Sequence, residues 1–187
     1  AYIMRYLEKH NVPTHFVKSL SETRTLVKKL DMLPIECVVR NIACGSLCRR
    51  LGVAKGIDLN PPLFELFLKN DELHDPMITT DHAVSFGWAD AEQLEQMRKY
   101  TLLINDVLSR LFADAGMILV DAKFEFGLLD GRIVLGDEIS PDSCRIWDSI
   151  TKEPLDKDRF REDKGGVIEA YQVVLERLGL DMVVEQF

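Results

Sequence analysis

The 187-residue sequence has no apolar run long enough to span a membrane, and no signal peptide is visible. It also lacks an excess of positive charge, because 23 Lys and Arg stand against 31 Asp and Glu, a formal net charge of −8. General nucleic-acid binding needs a basic face, so this balance argues against that class of protein. A local basic pocket for a small anion remains compatible with it. We therefore expect no membrane partner and no nucleic-acid partner.

Cysteine is scarce as well, with four residues in the chain. Cys44 and Cys48 are near each other, but no CxxC motif or His pair completes a zinc pattern. Buried, reduced thiols are the favoured interpretation. They predict a reducing, cytoplasmic compartment.

The rest of the composition is ordinary for a globular protein, at 47% hydrophobic and 29% charged residues. The length fits one domain or two small lobes. Periodicity predicts helices over residues 1–10, 91–115 and 167–178, and strands over residues 14–20, 25–30, 35–40 and 61–69. The long helix has a capping box, Asp90-x-x-Gln93, and Gly116 as its stop. Pro34 is predicted to mark a strand start or a crossover.

Residues 119–148 form the most informative stretch. Period-2 alternation places Asp121, Lys123 and Glu125 on one face of a strand and Ala122, Phe124 and Phe126 on the other, core-facing side. Charges on a strand face are usually only solvated, and for these three alone that interpretation is favoured. The next segment, residues 140–148, is interpreted as a polar loop, yet it holds a large Trp. Such loops present functional groups on a scaffold, which favours a site here.

Two carboxylates of this stretch, Glu125 and Asp137, suit a hard cation such as Mg²⁺. Asp130-Gly131 predicts a hairpin turn between them. A two-residue turn would send Asp137 to the apolar face, opposite Phe124. We therefore predict a three-residue connection or a single bulge, either of which would place Asp137 opposite Glu125.

Basic residues earlier in the chain add to this picture. Arg40 ends an apolar strand, where a lone charge needs a partner. Ser46 is a reasonable helix N-cap, close to where an anion could bind. Arg49 and Arg50 are interpreted as surface charges. The polar loop with His74 could be catalytic, but a solvated histidine is the favoured interpretation.

Several stretches together resemble the SAICAR synthetase (phosphoribosylaminoimidazole-succinocarboxamide synthase) family of purine biosynthesis, most closely its bacterial form. They are VVRNIACGSL, PPLFELFLKNDELHDPMI, LVDAKFEFG, LGDEISPDSCRIWD and DKDRFREDKGG. The resemblance implies an α+β fold with two lobes around an ATP cleft, kinase-like or ATP-grasp-like, with antiparallel sheets and flanking helices. Residues 1–33 would be the remainder of the N-terminal ATP lobe and hinge, and residues 34–187 the C-terminal lobe with the substrate and metal sites.

The resemblance also implies a reaction, in which ATP, with Mg²⁺, drives the joining of L-aspartate to CAIR (carboxyaminoimidazole ribonucleotide). The CAIR carboxylate would be activated as an acyl phosphate and attacked by the aspartate amine, giving SAICAR, ADP and phosphate. Phosphoryl transfer depends on positioned cations more than on a covalent protein group, and the charged residues of this chain suit that need.

Residue roles follow from the same resemblance. Lys123 and Asp121 would lie beside the reacting groups, and Glu125 and Asp137 would hold Mg²⁺. The residues implied to bind the CAIR phosphate are Arg40, Ser46 and Arg145, with Arg161 near the same substrate. Those implied to bind the nucleotide are Leu30 and Met32, in the hinge that reads adenine, and Lys69.

The sequence departs from the family at its start. The family begins with a Lys- and Gly-bearing strand-turn-strand over the ATP phosphates and a loop rich in Gly and Asn, and neither is present. We therefore expect a segment before residue 1 in the complete protein. Another ATP-dependent small-molecule kinase or ligase is an alternative, although no HRD-type motif is present. A non-catalytic nucleotide-binding fragment is another. The aspartate-binding residues and the oligomeric state stay open, a homo-oligomer included.

Overall fold

The computed structural model describes residues 1–21, 23–161 and 165–180. In these residues the helices are α1 (Tyr2–Glu8), α2 (Ser46–Leu51), α3 (Thr80–Ser85), α4 (Ala91–Asp114), α5 (Asp158–Arg161) and α6 (Val167–Arg177). The strands there are β1 (Phe16–Ser19), β2 (Thr25–Val27), β3 (Asp31–Ile42), β4 (Asp58–Leu68), β5 (Met77–Ile78), β6 (Met117–Leu129), β7 (Arg132–Leu135) and β8 (Cys144–Asp148). No helix of this part of the chain has the length and apolarity needed to cross a bilayer.

An antiparallel sheet forms the centre of the fold, in the order β5-β4-β3-β6-β7. β3 covers one edge of β6, and the other edge is shared by two strands in succession. β8 pairs with its first part, up to Ala122, and β7 with its last part, from Phe126. β1 and β2 make a separate two-stranded sheet. The predicted α+β class with antiparallel sheets is confirmed.

The long helix α4 packs on one face of this sheet. The capping box is present, since the Asp90 carboxylate accepts from the Gln93 N–H at 2.8 Å and the Gln93 side chain accepts from the Asp90 N–H at 2.9 Å. Gly116 follows the helix with φ +70°, as predicted. The side chains that share the core between α4 and the sheet include Leu94, Met97, Ile104, Leu108, Cys37, Val39, Ala122 and Phe124. The opposite face of the sheet is left for polar groups.

All four cysteines are free thiols, and Cys37, Cys44 and Cys144 are buried. Burial raises the pKa of Cys37 and of Cys144 to about 12. Cys37 and Cys144 are therefore protonated and unreactive at neutral pH. The prediction of buried thiols is confirmed for these two and for Cys44, whereas Cys48 is half-buried.

Two of the predictions about strands are wrong. Pro34 lies inside β3, where the pairing with β6 is irregular between Met32 and Glu36, so its missing N–H breaks no regular ladder. Residues 144–148 form strand β8 and not a loop. The predicted lobe boundary between residues 33 and 34 falls inside β3, and the two-lobe division stays a prediction.

The register of the β6–β7 hairpin also contradicts the sequence argument. Leu129 pairs with Arg132 and Phe126 with Leu135, so Asp130-Gly131 is a regular two-residue turn. The next residue, Gly136, donates its N–H to the Glu125 carbonyl at 2.9 Å. The predicted three-residue connection or bulge is therefore wrong, because the turn has two residues and the pairs of β6 and β7 are regular. β7 ends at Leu135, before it reaches Asp137.

Candidate active site

Charged side chains from three neighbouring strands occupy the sheet face that lies away from α4. Cross-strand neighbours share a face of a sheet. The neighbours here are Arg40 with Asp121, Val38 with Lys123 and with Glu65, and Glu36 with Glu125. Asp121 and Glu125 are each only 4% exposed. The interpretation of a merely solvated strand face is therefore wrong for these two carboxylates.

Arg40 lies at the end of this face where β3 approaches α2, and it is 3% exposed. Its Nε donates to Glu65 at 2.7 Å, and its Nη1 donates to Asp121 at 3.0 Å. Its Nη2 donates to the Ser46 hydroxyl at 3.1 Å. The expectation that this buried charge has a partner is confirmed.

Arg145, on β8, reaches the same carboxylate from the other side. Its Nη1 lies 2.8 and 3.1 Å from the two oxygens of Asp121, and its Nε donates to Asp158 at 2.6 Å. Burial lowers the pKa of Arg145, but Asp121 and Asp158 raise it more, so the net pKa lies above its ordinary value. The predicted convergence of Arg40, Arg145 and Ser46 is confirmed as geometry.

The turn at Gly45 and Ser46 closes this end of the site. Gly45, not Ser46, is the N-cap of α2, with φ 59° and ψ −127°, a conformation that favours glycine. A Cβ at residue 45 would lie 2.6 Å from Nη2 of Arg145. The Nη2 ends of both arginines therefore abut this turn, one against the backbone of Gly45 and the other against the hydroxyl of Ser46.

A cavity of about 170 Å³ opens over this cluster. The charged side chains of its lining are Arg40, Lys123, Arg145 and Lys157, with Asp121 and Asp142. Four cations against two carboxylates leave a net positive charge facing the cavity. Such a lining suits a phosphate group, since arginine binds phosphate oxygens through charge-assisted hydrogen bonds.

Lysines occupy the other end of the polar face. Lys123 Nζ lies 2.6 Å from Glu36 and 2.9 Å from Glu125, and Lys69 donates to the second oxygen of Glu125. Burial raises the pKa of Glu125, but the hydrogen bonds from Lys69 and Lys123 outweigh it, so the net pKa is lowered. Burial lowers the pKa of Lys123, and its two carboxylate partners raise it more. Glu125 and Lys123 are therefore both charged at neutral pH.

The two predicted metal ligands differ in their setting. Glu125 is a buried, ionised carboxylate, whose oxygens are of the kind that Mg²⁺ prefers. Asp137 is exposed and has a left-handed backbone, with φ 54°. In the described ranges, no three His, Cys, Asp or Glu side chains are grouped so as to hold a metal ion. The donor chemistry of Glu125 fits a hard cation, and the pairing with Asp137 stays a prediction without its register argument.

The predicted adenine-binding segment lies over two glycines of the β6–β7 hairpin. Met32 pairs with Gly127 and is 46% exposed. A Cβ at Gly127 would lie 2.8 Å from Cβ of Leu30, and one at Gly136 would lie 3.1 Å from Sδ of Met32. The two glycines thus allow a close approach of Leu30 and Met32, whose role in binding adenine stays a prediction.

Two further predicted residues add nothing to this geometry. Arg161 is the last residue of α5, and its side chain lies outside the described part of the structure. His74 is exposed, as the favoured interpretation expected, and it ends a 3₁₀ turn at Asp71–Leu73.

Sequence reasoning missed the carboxylates that hold the cations, namely Glu36, Glu65 and Asp158. Arg50 is exposed, as interpreted, and it also donates to Glu65, with its Cζ 5.3 Å from the centroid of the Phe67 ring. A signal was available: IECVVR and LFELFLK each hold two charges four positions apart, as in a strand with one charged face. Asp158 has no such signal, because it lies outside the strands.

The chain matches known proteins over nearly its whole length. The family model described as SAICAR synthetase matches residues 1–178. A phosphoribosylaminoimidazole-succinocarboxamide synthase from Idiomarina loihiensis is 60% identical over 181 residues, which is 97% of this chain and 76% of the relative. One from Pseudomonas aeruginosa is 60% identical over 182 residues, 97% of this chain and 77% of the relative.

Solved structures agree with these relatives. A SAICAR synthetase in complex with ADP superposes with a TM-score of 0.92 at 48% identity, covering 95% of this chain and 76% of that one. The enzyme from Ehrlichia chaffeensis gives a TM-score of 0.92 at 42% identity, covering 97% of this chain and 78% of that one. The polar sheet face, the paired arginines and these matches agree, and the chain belongs to the SAICAR synthetase family.

Proposed function

We propose that this chain carries out the reaction of its family, the ATP-dependent joining of L-aspartate to the carboxylate of CAIR. The products are SAICAR, ADP and phosphate, in purine biosynthesis. The observation that carries the proposal is the convergence of Arg40 and Arg145 on Asp121 beside Ser46, under a positively lined cavity.

The arginine end of the polar face is proposed to bind the phosphate of CAIR. Glu65 and Asp158 each hold the Nε edge of one arginine, and Asp121 holds the Nη1 end of both. These contacts fix both guanidinium groups before substrate arrives, so little side-chain entropy remains to be lost on binding. The preorganised Nη2 ends, with the Ser46 hydroxyl, can then donate to phosphate oxygens.

The lysine end is proposed to serve the reacting groups. The γ-phosphoryl group of ATP would pass to a carboxylate oxygen of CAIR, releasing ADP and leaving an acyl phosphate. The aspartate amine would then form the C–N bond as phosphate leaves and the nitrogen loses a proton. Lys123, whose pKa is raised, and Lys69, which forms an ion pair with Glu125, can balance negative charge on the phosphoryl oxygens during these steps.

ATP is proposed to lie with its adenine on the Leu30–Met32 segment and its phosphates toward Lys69. Glu125, and Asp137 from the adjoining loop, are the residues that would hold Mg²⁺. When bound, Mg²⁺ neutralises phosphate charge and aligns the phosphoryl group.

The free thiols support a cytoplasmic location. Light scattering would determine whether the protein is a homo-oligomer.

The test of this proposal is Arg145→Lys. A lysine keeps the charge but cannot donate in the forked geometry, so the KM for CAIR should rise about tenfold or more, from the loss of a charge-assisted bond. The KM for ATP should change less than about twofold, because ATP would bind at the other end of the face. Arg110→Lys is the control, since Arg110 makes an exposed ion pair with Asp106 on α4. Equal changes in both KM values would refute the assignment.

A further inference from the structure

Asp156 is a buried carboxylate for which the proposed reaction has no use. It is 0% exposed and lies in the turn that leads into α5. Its Oδ2 accepts the N–H of Ile146 at 2.7 Å, and its Oδ1 accepts the N–H of Asp158 at 2.7 Å. Each oxygen therefore takes one backbone donor from a different element.

One of these donors belongs to the residue after Arg145 and the other to Asp158, and Arg145 and Asp158 form an ion pair. Ile146 directly follows Arg145 on β8, and the Asp158 carboxylate accepts from Nε of Arg145 at 2.6 Å. Asp156 thus closes a ring that runs from Arg145 through Ile146, Asp156 and Asp158 back to Arg145. A shift of either N–H would change the distance between the guanidinium and the carboxylate that orients it.

The turn itself has other supports. Leu155 donates its N–H to the Ile146 carbonyl at 2.7 Å, and Asp148 donates to the Glu153 carbonyl at 2.9 Å, so the segment is already paired with β8. Burial raises the pKa of Asp156 to about 6, which means that the charged form is costly there. A neutral Asn would avoid that cost, but its amide has one acceptor oxygen and could not accept from both N–H groups.

We infer that Asp156 is a positioning residue for Arg145, holding Arg145 and Asp158 in the geometry that binds the CAIR phosphate. The inference rests on the proposed function, because it takes the role of Arg145 from there. Asp156 itself touches no substrate and acts through the ion pair.

The test compares Asp156→Asn, Asp158→Asn and the double variant in initial-rate measurements. Each single variant should raise the KM for CAIR about tenfold, as expected for the loss of one charge-assisted bond, and change the KM for ATP less than about twofold. In the double variant, the KM for CAIR should rise no more than in the single variant with the larger effect, because both residues act through Arg145. Independent, multiplying effects would overturn the inference.

A matched control is available on the same strand. Asp148 also accepts two backbone N–H groups, from Ile150 and Thr151, each at 2.8 Å, but at the opposite end of β8 from Arg145. Asp148→Asn should lower Tm and leave both KM values unchanged. If Asp156→Asn behaves in the same way, Asp156 is a structural residue and the inference is wrong.

A second variant, Asp156→Ser, tests whether Asp156 is needed for folding. If neither this variant nor Asp156→Asn folds at low temperature, Asp156 is a folding residue and the inference is wrong. If Arg145→Lys raises the KM for CAIR selectively while Asp156→Asn does not, the inference fails and the proposed function stands. If Arg145→Lys has no selective effect, the proposed function fails, and the inference fails with it.

Discussion

Replacing Gly45 by Ala tests the arginine end of the site through a single methyl group. The new Cβ would lie 2.6 Å from Nη2 and 2.8 Å from Cζ of Arg145, which is closer than non-bonded heavy atoms come. Arg145 cannot move aside freely, because its Nε and Nη1 are held by Asp158 and Asp121 at 2.6 and 2.8 Å. The guanidinium must therefore give up part of one ion pair.

Two free-energy terms follow from this structure. The backbone at residue 45, with φ 59° and ψ −127°, is strained for any residue with a side chain, at about 1–3 kcal/mol of folding free energy. Misplacing the Nη2 end removes a charge-assisted bond to phosphate worth about 1.5–3 kcal/mol. At about 1.4 kcal/mol per factor of ten, the KM for CAIR should rise about ten- to a hundredfold.

Gly52→Ala is the matched control, at the other end of the same helix. Gly52 is also left-handed, with φ +67°, but a Cβ there would meet nothing within 4 Å. It should lose about 1–2 kcal/mol of stability and change neither KM. Urea unfolding measures the first quantity and initial rates at saturating aspartate the second. If both variants change the KM for CAIR alike, the Arg145 geometry is not what binds CAIR.

Two further predictions concern other carboxylates. Glu125→Gln should abolish turnover and weaken ATP binding in the presence of Mg²⁺, and it should destabilise the fold by about 1 kcal/mol, since its lysine partners are partly exposed; unchanged turnover would refute the role. For Asp156, the pKa is raised from 3.8 to about 6, so the folded state binds the extra proton and stability falls as pH rises between these values. Between pH 4 and pH 7, the free energy of unfolding of the wild type, measured with urea, should therefore fall by up to about 3 kcal/mol relative to that of Asp156→Asn. A constant difference between the two proteins would contradict the raised pKa.

Local patterns were sufficient for the parts of the fold that depend on neighbouring residues. The capping box at Asp90 needs only its own side chain and that of Gln93, and both contacts form. The alternation that separates Lys123 from Phe124 follows from strand geometry alone. The need of Arg40 for a partner follows from its place in an apolar strand.

Long-range pairing was not accessible in the same way. The partners of Arg40 are Glu65 and Asp121, which depend on which strands become neighbours and in which register. Residues 140–148 were interpreted as a loop because polar side chains are dense there, and the last five of them form β8 because β6 offers them a free edge. Pro34 is tolerated within β3 since the pairing is already irregular there.

The position of Asp137 is set by a loop and not by strand pairing. A facing of Asp137 set by alternation would need β7 to continue alongside β6 as far as Asp137, but β7 ends at Leu135. The chain then leaves and returns to the same edge of β6: the Gly136 N–H bonds the Glu125 carbonyl at 2.9 Å, and the Lys123 N–H bonds the Ser143 carbonyl at 2.9 Å. Residues 136–143 therefore form a loop whose two ends are fixed beside the reacting charges. Alternation along a strand does not govern a residue in such a loop, so whether Asp137 reaches the cation held by Glu125 depends on the loop, with its left-handed turn at φ 54°, and not on the facing of β7.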